Sequence, residues 1–260
     1  MVIVITGASG GIGLGMARAF INRGHTVYSF SRSAPSDTQI KHIPCDVSDP
    51  EKVKEAFAGF FELESRIDML INNAGIGISG SCEFTATEDM KKIFDTNFFG
   101  AVYCTQCVVQ KMREQQSGKI IFISSVGAIF TLPFQTFYSA TKIALNSFAE
   151  GLLMELKTQG VKVGTVLPGD IASNFTQNRK KDCSGQDVYG ARIEKSIATM
   201  ERDERNGVSA DQAGATIAKY LCKRKLKYYK VLGLKYKFLC MLNKILPRKT
   251  VIKILYKMYG

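Results

Sequence analysis

Tyr138 and Lys142 stand four residues apart, the spacing at which two side chains share one face of a helix. An isolated tyrosine has a pKa of about 10 and is a poor base at neutral pH. An ammonium beside it stabilises the tyrosinate and suits the phenol to general acid–base work. Taken alone the pair is weak evidence, because Tyr-x3-Lys is common on the surface of any helix. Its meaning depends on what else the chain brings to it.

A second candidate lies near the start. Thr6-Gly7-Ala8-Ser9-Gly10-Gly11-Ile12-Gly13 joins an apolar run to a helical pattern with Met16, Ala17, Phe20 and Ile21 on one stripe. Glycines accept positive φ and let backbone approach a phosphate closely. The helix start behind them offers free N–H groups and the positive end of a dipole. Many glycine-rich turns are only tight turns. This one follows a strand at the head of an alternating pattern, which favours a dinucleotide site.

The elements that must position these groups alternate along the chain. Strands are expected at Val2–Thr6, Thr26–Ser31, Lys41–Pro44, Met69–Asn72, Lys119–Ser124 and Lys162–Leu167. Helical patterns fall at Leu14–Arg23, near Pro50–Leu63, near Glu88–Gln116 with a break by Asn97, and near Phe137–Thr158. Parallel strands need crossover helices, so this rhythm predicts an α/β fold of Rossmann type, a doubly wound parallel sheet with helices on both faces. A single catalytic domain is expected over residues 1–218, followed by a basic amphipathic helical extension over 219–260. Residues 174–207 are polar, charged and poor in strand signals, and read as a mobile insertion that forms a substrate lid.

Together these motifs resemble those of the classical short-chain dehydrogenases/reductases. The glycine turn has that family's Thr-Gly-x3-Gly-x-Gly spacing. Asn72-Asn73-Ala74-Gly75 is similar to its Asn-Asn-Ala-Gly element, and Asn97-Phe-Phe-Gly100 to its Asn-x-x-Gly. Ser125 lies thirteen residues before Tyr138, as its usual serine does, and Tyr138 to Lys142 matches its Tyr-x3-Lys. Pro168-Gly169-Asp170-Ile171-Ala172-Ser173 resembles its Pro-Gly segment, with Ser173 where threonine is commoner. The set spans about residues 2–175 in order.

The resemblance implies an enzyme that interconverts a carbonyl and an alcohol by hydride transfer, with Asn97, Ser125, Tyr138 and Lys142 at its centre. Tyr138 would serve as general acid in reduction and general base in oxidation. Ser125 would hydrogen-bond the substrate oxygen. Asn97 would position a water linking Lys142 to solvent, and Lys142 would also bind the nicotinamide ribose. The cofactor would lie against Thr6, Gly7, Ser9, Gly11, Ile12 and Gly13, against Asn73, Ala74 and Gly75, and against Pro168, Gly169, Ile171 and Ser173. Asp46 and Val47 would face the adenine, although Asp46 reads equally well as a helix cap before Pro50. Ser124, His25 and His42 read as structural, and no metal cluster is apparent.

The second strand ends Ser31-Arg32-Ser33. An acid there would bond the 2′-hydroxyl of NAD and repel a 2′-phosphate; Arg32 instead donates to a phosphate, with Ser31 and Ser33 adding hydrogen bonds. This favours NADP(H) over NAD(H), although Ser9 and Gly10 stand where some NADP-preferring relatives carry a second basic residue.

Composition bounds the remaining questions. The seven cysteines are odd in number and widely spread, which fits a reducing, cytoplasmic setting better than a disulfide framework. No signal peptide is recognised before the first strand. Of the net charge of +12, the 13 basic residues from Lys219 onward, with no acid among them, leave the preceding part at −1. Within that tail Phe238, Leu239, Met241, Leu242, Ile245 and Leu246 form one helical stripe, and Val251, Ile254, Leu255 and Met258 repeat it after Pro247.

Three partners compete for this tail: the body or a second subunit, an anionic membrane surface, or nucleic acid, the last without a supporting motif. A membrane-attached enzyme would suit a lipid-, steroid- or acyl-like substrate. A homo-oligomer, dimer or tetramer, is expected through the long helices. A catalytically idle NADP-binding regulator is the rival reading, and it would have no use for the complete catalytic set. A sugar-nucleotide epimerase of the extended branch would show a different glycine spacing.

Overall fold

Alternation in the strands decides which side chains reach which face of the sheet. The computed structural model describes all 260 residues. The first half contains β1 (Val2–Thr6), α1 (Gly11–Ile21), β2 (Thr26–Ser31), β3 (Lys41–Pro44), α2 (Pro50–Leu63), β4 (Met69–Asn72), β5 (Ile78–Ser79), α3 (Thr87–Phe94) and α4 (Gly100–Glu114). The second contains β6 (Gly118–Ile123), α5 (Thr136–Glu155), β7 (Val161–Leu167), β8 (Ile171–Ala172), α6 (Asn174–Asn178), β9 (Lys180–Lys181), α7 (Gln186–Tyr189) and α8 (Arg192–Arg205). It continues through β10 (Val208–Ser209), α9 (Ala210–Leu221), β11 (Tyr229–Val231), α10 (Leu234–Ile245) and α11 (Arg248–Tyr259).

Seven strands form one sheet in the order β3-β2-β1-β4-β6-β7-β11, and every pairing is parallel. Successive residues of β1 serve opposite faces: Val4 joins a core with Phe57, Phe60, Val108, Met112 and Leu145, whereas Ile3 and Ile5 join one with Met16, Phe20, Ile217 and Leu221. Helices therefore cover both faces, as the apolar strands require. The chain steps outward from β1 in both directions, to β2 and to β4, which leaves a crevice at their carboxyl ends.

The structure departs from the sequence expectations in four places. The break by Asn97 is a π-helical turn, Asp95–Phe99, that joins α3 to α4 without interrupting them. The cap before Pro50 is Asp49, which accepts from the backbone N–H groups of Glu51 and Lys52 at 3.0 and 3.2 Å; Asp46 is left facing the crevice. The body does not end at residue 218, since α9 runs across that position and β11 forms the far edge of the sheet.

The segment 174–207, expected to be a mobile lid, is anchored. β9 pairs with β5, Lys180 bridges to Asp89 and Lys181 to Glu201, both at 2.5 Å, and the buried Arg179 pairs with Glu204. The segment reads as mobile in the sequence because the partners of its charges lie on other elements. Two-residue strands likewise carry no periodicity.

Candidate active site

One cleft of about 1140 Å³ runs along the carboxyl ends of the strands. One end of it is built by the glycine turn. Gly7 has φ +68° and packs on Ala74, and Gly13 has no room for a side chain, since a Cβ would sit 2.5 Å from the Gly7 carbonyl oxygen and 2.6 Å from Asn73 Nδ2. The turn therefore folds tightly onto the loop after β4. Thr6 ties the two together: its Oγ1 accepts from the backbone N–H groups of Asn73 and Ala74, both at 2.9 Å. Asn73 Nδ2 returns bonds to the carbonyls of Thr6 and Gly7. No side chain caps the N-terminus of α1, so its first N–H groups are left for a ligand.

Around this turn the cleft is lined by Gly7, Ser9, Gly11 and Ile12, and farther along by Ser31, Arg32, Asp46 and Val47. Ser31 is buried, shares a 2.8 Å hydrogen bond with Ser29 and donates to the Ser33 carbonyl, so its hydroxyl is already engaged. Arg32 is exposed at the rim. Burial raises the Asp46 carboxyl, but hydrogen bonds from Ser48 and the nearby Arg32 outweigh it and hold the group below its usual value.

The opposite end holds Ser125, Tyr138 and Lys142. Ser125 follows β6 and caps a short turn by accepting from the Gly127 N–H at 3.0 Å. The Val126 N–H donates to the Pro168 carbonyl at 2.9 Å, which joins this loop to the Pro-Gly segment. Tyr138 and Lys142 lie one turn apart on α5, with the Lys142 ammonium 5.8 Å from the centre of the phenol ring. Lys142 is buried, donates to the Ile123 carbonyl at 3.0 Å, and is lowered by desolvation to about 8. Ser124 donates to the Lys142 carbonyl and is structural. Pro168, Gly169, Ile171 and Ser173 line the facing wall beside Asn73, Ala74 and Gly75.

A family model described as short chain dehydrogenase matches residues 1–184. The chain belongs to the short-chain dehydrogenase/reductase family. It is 37% identical over 227 residues to 3-ketodihydrosphingosine reductase of Bacteroides thetaiotaomicron, covering 86% of this chain and 84% of that one. It is 33% identical over 250 residues to the probable short-chain type dehydrogenase/reductase VdlC of Helicobacter pylori, covering 94% and 92%. A solved short-chain dehydrogenase from Streptomyces avermitilis superposes with a TM-score of 0.81 at 28% identity, covering 94% of this chain and 92% of that one. As a short-chain dehydrogenase/reductase the protein is an oxidoreductase acting on CH–OH groups of small molecules with a nicotinamide cofactor.

Three residues expected to touch ligands in this dehydrogenase do not line the cleft. Thr6 is the internal clamp described above, and Gly13 packs beneath the turn. Asn97 is buried: it accepts from the Ile76 N–H at 2.7 Å and donates to the Ile76 carbonyl and to Thr141, which itself bonds the Tyr138 carbonyl at 2.7 Å. It thus holds the start of α5 against the loop after β4.

The phenol also differs from expectation. Burial raises the pKa of Tyr138, Ser125 and Arg179 pull it down, and Glu204 pushes it up, with a net upward direction. Desolvation outweighs the downward pull, and that pull comes from Ser125 and Arg179 rather than from Lys142 as expected. Arg179 and Glu204 gave no signal in the sequence, because they come from α8 and the loop after α6 and meet only through the folding of the lid. The ring of Phe175 lies between them and the site, 5.8 Å from the Tyr138 ring and 5.7 Å from the Arg179 guanidinium.

Proposed function

We propose that this protein is an NADP(H)-dependent oxidoreductase that interconverts a carbonyl and a primary or secondary alcohol on a hydrophobic substrate, with Tyr138 as general acid and base. The observation that carries this reading is one continuous cleft with a phosphate-binding turn and Arg32 at one end and Ser125 and Tyr138 at the other. The uncapped start of α1 and the side-chain-free packing at Gly13 fit a bound dinucleotide. The backbone of Gly11 and Ile12 would hold its pyrophosphate, Arg32 its 2′-phosphate, Asp46 and Val47 its adenine side, and Lys142, Ile171 and Ser173 its nicotinamide half.

Bound there, the cofactor supplies a hydride in reduction and accepts one in oxidation. Ser125 Oγ hydrogen-bonds the substrate oxygen and fixes the carbon's position. The phenol of Tyr138 gives its proton to that oxygen in reduction, and a phenol with a raised pKa holds this proton ready at neutral pH. Lys142 would donate to the cofactor's ribose and would keep a positive charge beside the phenol as the proton leaves. Asn97 is a positioning residue, acting through Thr141 and the backbone of Tyr138.

NADPH oxidation with a panel of ketones tests the assignment. Tyr138→Phe should lower kcat by about 10²-fold or more while leaving NADPH binding intact. An unchanged rate in that variant, or no turnover with any ketone, would overturn it in favour of an idle NADP-binding protein.

The apolar end of the cleft supports a lipid-like ketone as substrate, in keeping with the name of the Bacteroides relative, 3-ketodihydrosphingosine reductase. A peripheral, cytoplasm-facing seat on an anionic membrane is part of the same reading. No helix is long and apolar enough to cross a membrane. Leu234, Phe238, Met241 and Ile245 nevertheless form an exposed stripe on α10, among Lys235, Lys237 and Lys244. Each lysine near such a surface contributes about 1 kcal/mol. Phe238→Glu with Met241→Glu should reduce co-sedimentation with phosphatidylserine vesicles; equal partitioning would remove the membrane from the reading. Self-association through the long helices is supported on α5 by the exposed apolar side chains of Ile143 and Met154.

A further inference from the structure

The tail does not hang from the body. The stripe that reads as one face in the sequence divides in two: Met241 and Ile245 point outward, Leu239, Leu242 and Leu246 are half-buried and line the same cleft as Ser125 and Tyr138, and Phe238, largely exposed, stands at the cleft's edge. On α11 the buried Val251 and the half-buried Leu255 face the same space.

Three side-chain hydrogen bonds help to hold this hairpin over the cleft. The Tyr236 hydroxyl donates to Asp170, and its ring lies directly on Gly169, where no Cβ could fit. The Tyr259 hydroxyl donates to Asp203 of α8 at 2.8 Å. Between the two helices, Arg248 donates to the Ile129 carbonyl at 3.3 Å. The first helix and the turn are thus tied to loops that carry the site, and the C-terminal end to α8. Phe130 and Leu132 line the cleft from the opposite side. The space between is lined mainly by apolar side chains, with Asn243 among them, is open to solvent beside Phe238, Ile254 and Met258, and reaches the phenol and hydroxyl of the site.

We propose that α10 and α11 roof a chamber that holds an unbranched alkyl chain of the substrate, with the substrate's carbonyl at Tyr138 and its chain running beneath Leu239, Leu242 and Leu246. This rests on the carbonyl-reductase reading and gives its substrate class: a single-chain aliphatic ketone or the matching alcohol. The chamber is roofed by this chain's own C-terminal helices, so its length is set by side chains on them. Leu242, in the middle of the inner stripe, is the gauge.

The experiment uses the full chain without vesicles and a series of methyl ketones with alkyl groups from ethyl to tetradecyl. Burying one methylene is worth about a fourfold gain, so kcat/KM should rise roughly fourfold per added carbon until the chamber is full. Leu242→Trp should move the optimum to a shorter chain and Leu242→Ala to a longer one. Opposite movement in two variants is a result that general damage to the fold does not produce.

The same proteins are titrated with the saturated alcohols against an alkyl-linked environment-sensitive dye, which reads the chamber without turnover. Binding that tracks chain length and moves with Leu242, in a protein that turns over no ketone, would uphold the chamber and sink the reductase reading. Turnover of ketones with no dependence on chain length, or the same optimum in all three proteins, would overturn the chamber alone.

Discussion

Lys142→Met tests the electrostatic core of the site through stability rather than turnover. The ammonium is buried, and desolvation lowers it from 10.5 to about 8. At about 1.4 kcal/mol per pKa unit, folding the charged side chain costs about 3 kcal/mol. Because the folded value lies below the unfolded one, this cost is complete below about pH 8 and disappears as the pH passes 10.5. Methionine fills similar space without charge. It forfeits the hydrogen bond to the Ile123 carbonyl, worth about 1 kcal/mol. The net gain for Lys142→Met at neutral pH is then about 2 kcal/mol, or about 4 °C in Tm for a chain of this size.

Calorimetry of the ligand-free protein across pH provides the assay. The variant should melt above the wild type at neutral pH, the difference should shrink as the pH rises from 8 to 10.5, and its activity should be lost. A variant that melts at or below the wild type at neutral pH, or a difference independent of pH, would refute the placement of a buried ammonium at this site.

The other expectations concern the two ends of the cleft and its lid. Arg32→Glu should weaken NADPH binding by about 10- to 100-fold, as loss of charge-assisted hydrogen bonds to a phosphate requires, and leave NADH binding little changed; fluorescence titration of both cofactors measures this. Glu204→Gln removes a charge that raises Tyr138, so the limb of the pH–rate profile belonging to the phenol should move to lower pH. A shift upward would contradict the geometry. Gly13→Ala drives a methyl into the Gly7 carbonyl and Asn73 and should destabilise the protein by about 1–3 kcal/mol in denaturant titrations, with weaker cofactor binding.

The alternation of strands and helices from Val2 to Leu167, the glycine turn and the Tyr138–Lys142 spacing were all legible in the amino-acid order. Each depends on neighbours a few residues away: a period of two for strands, 3.6 for helices, and positive φ for glycine. Tertiary structure decided the rest. It made β11 the last strand of the sheet, an assignment that a three-residue run among lysines could not signal. It paired the lid's charges with Asp89 and with one another, and so turned a polar insertion into an anchored one. It split the tail's single apolar stripe between the cleft and the solvent, and it set the phenol of Tyr138 above rather than below its ordinary value. Burial and charge at a point sum contributions from elements distant in sequence, so periodicity announces that a helix has an apolar face, while only packing determines what that face covers.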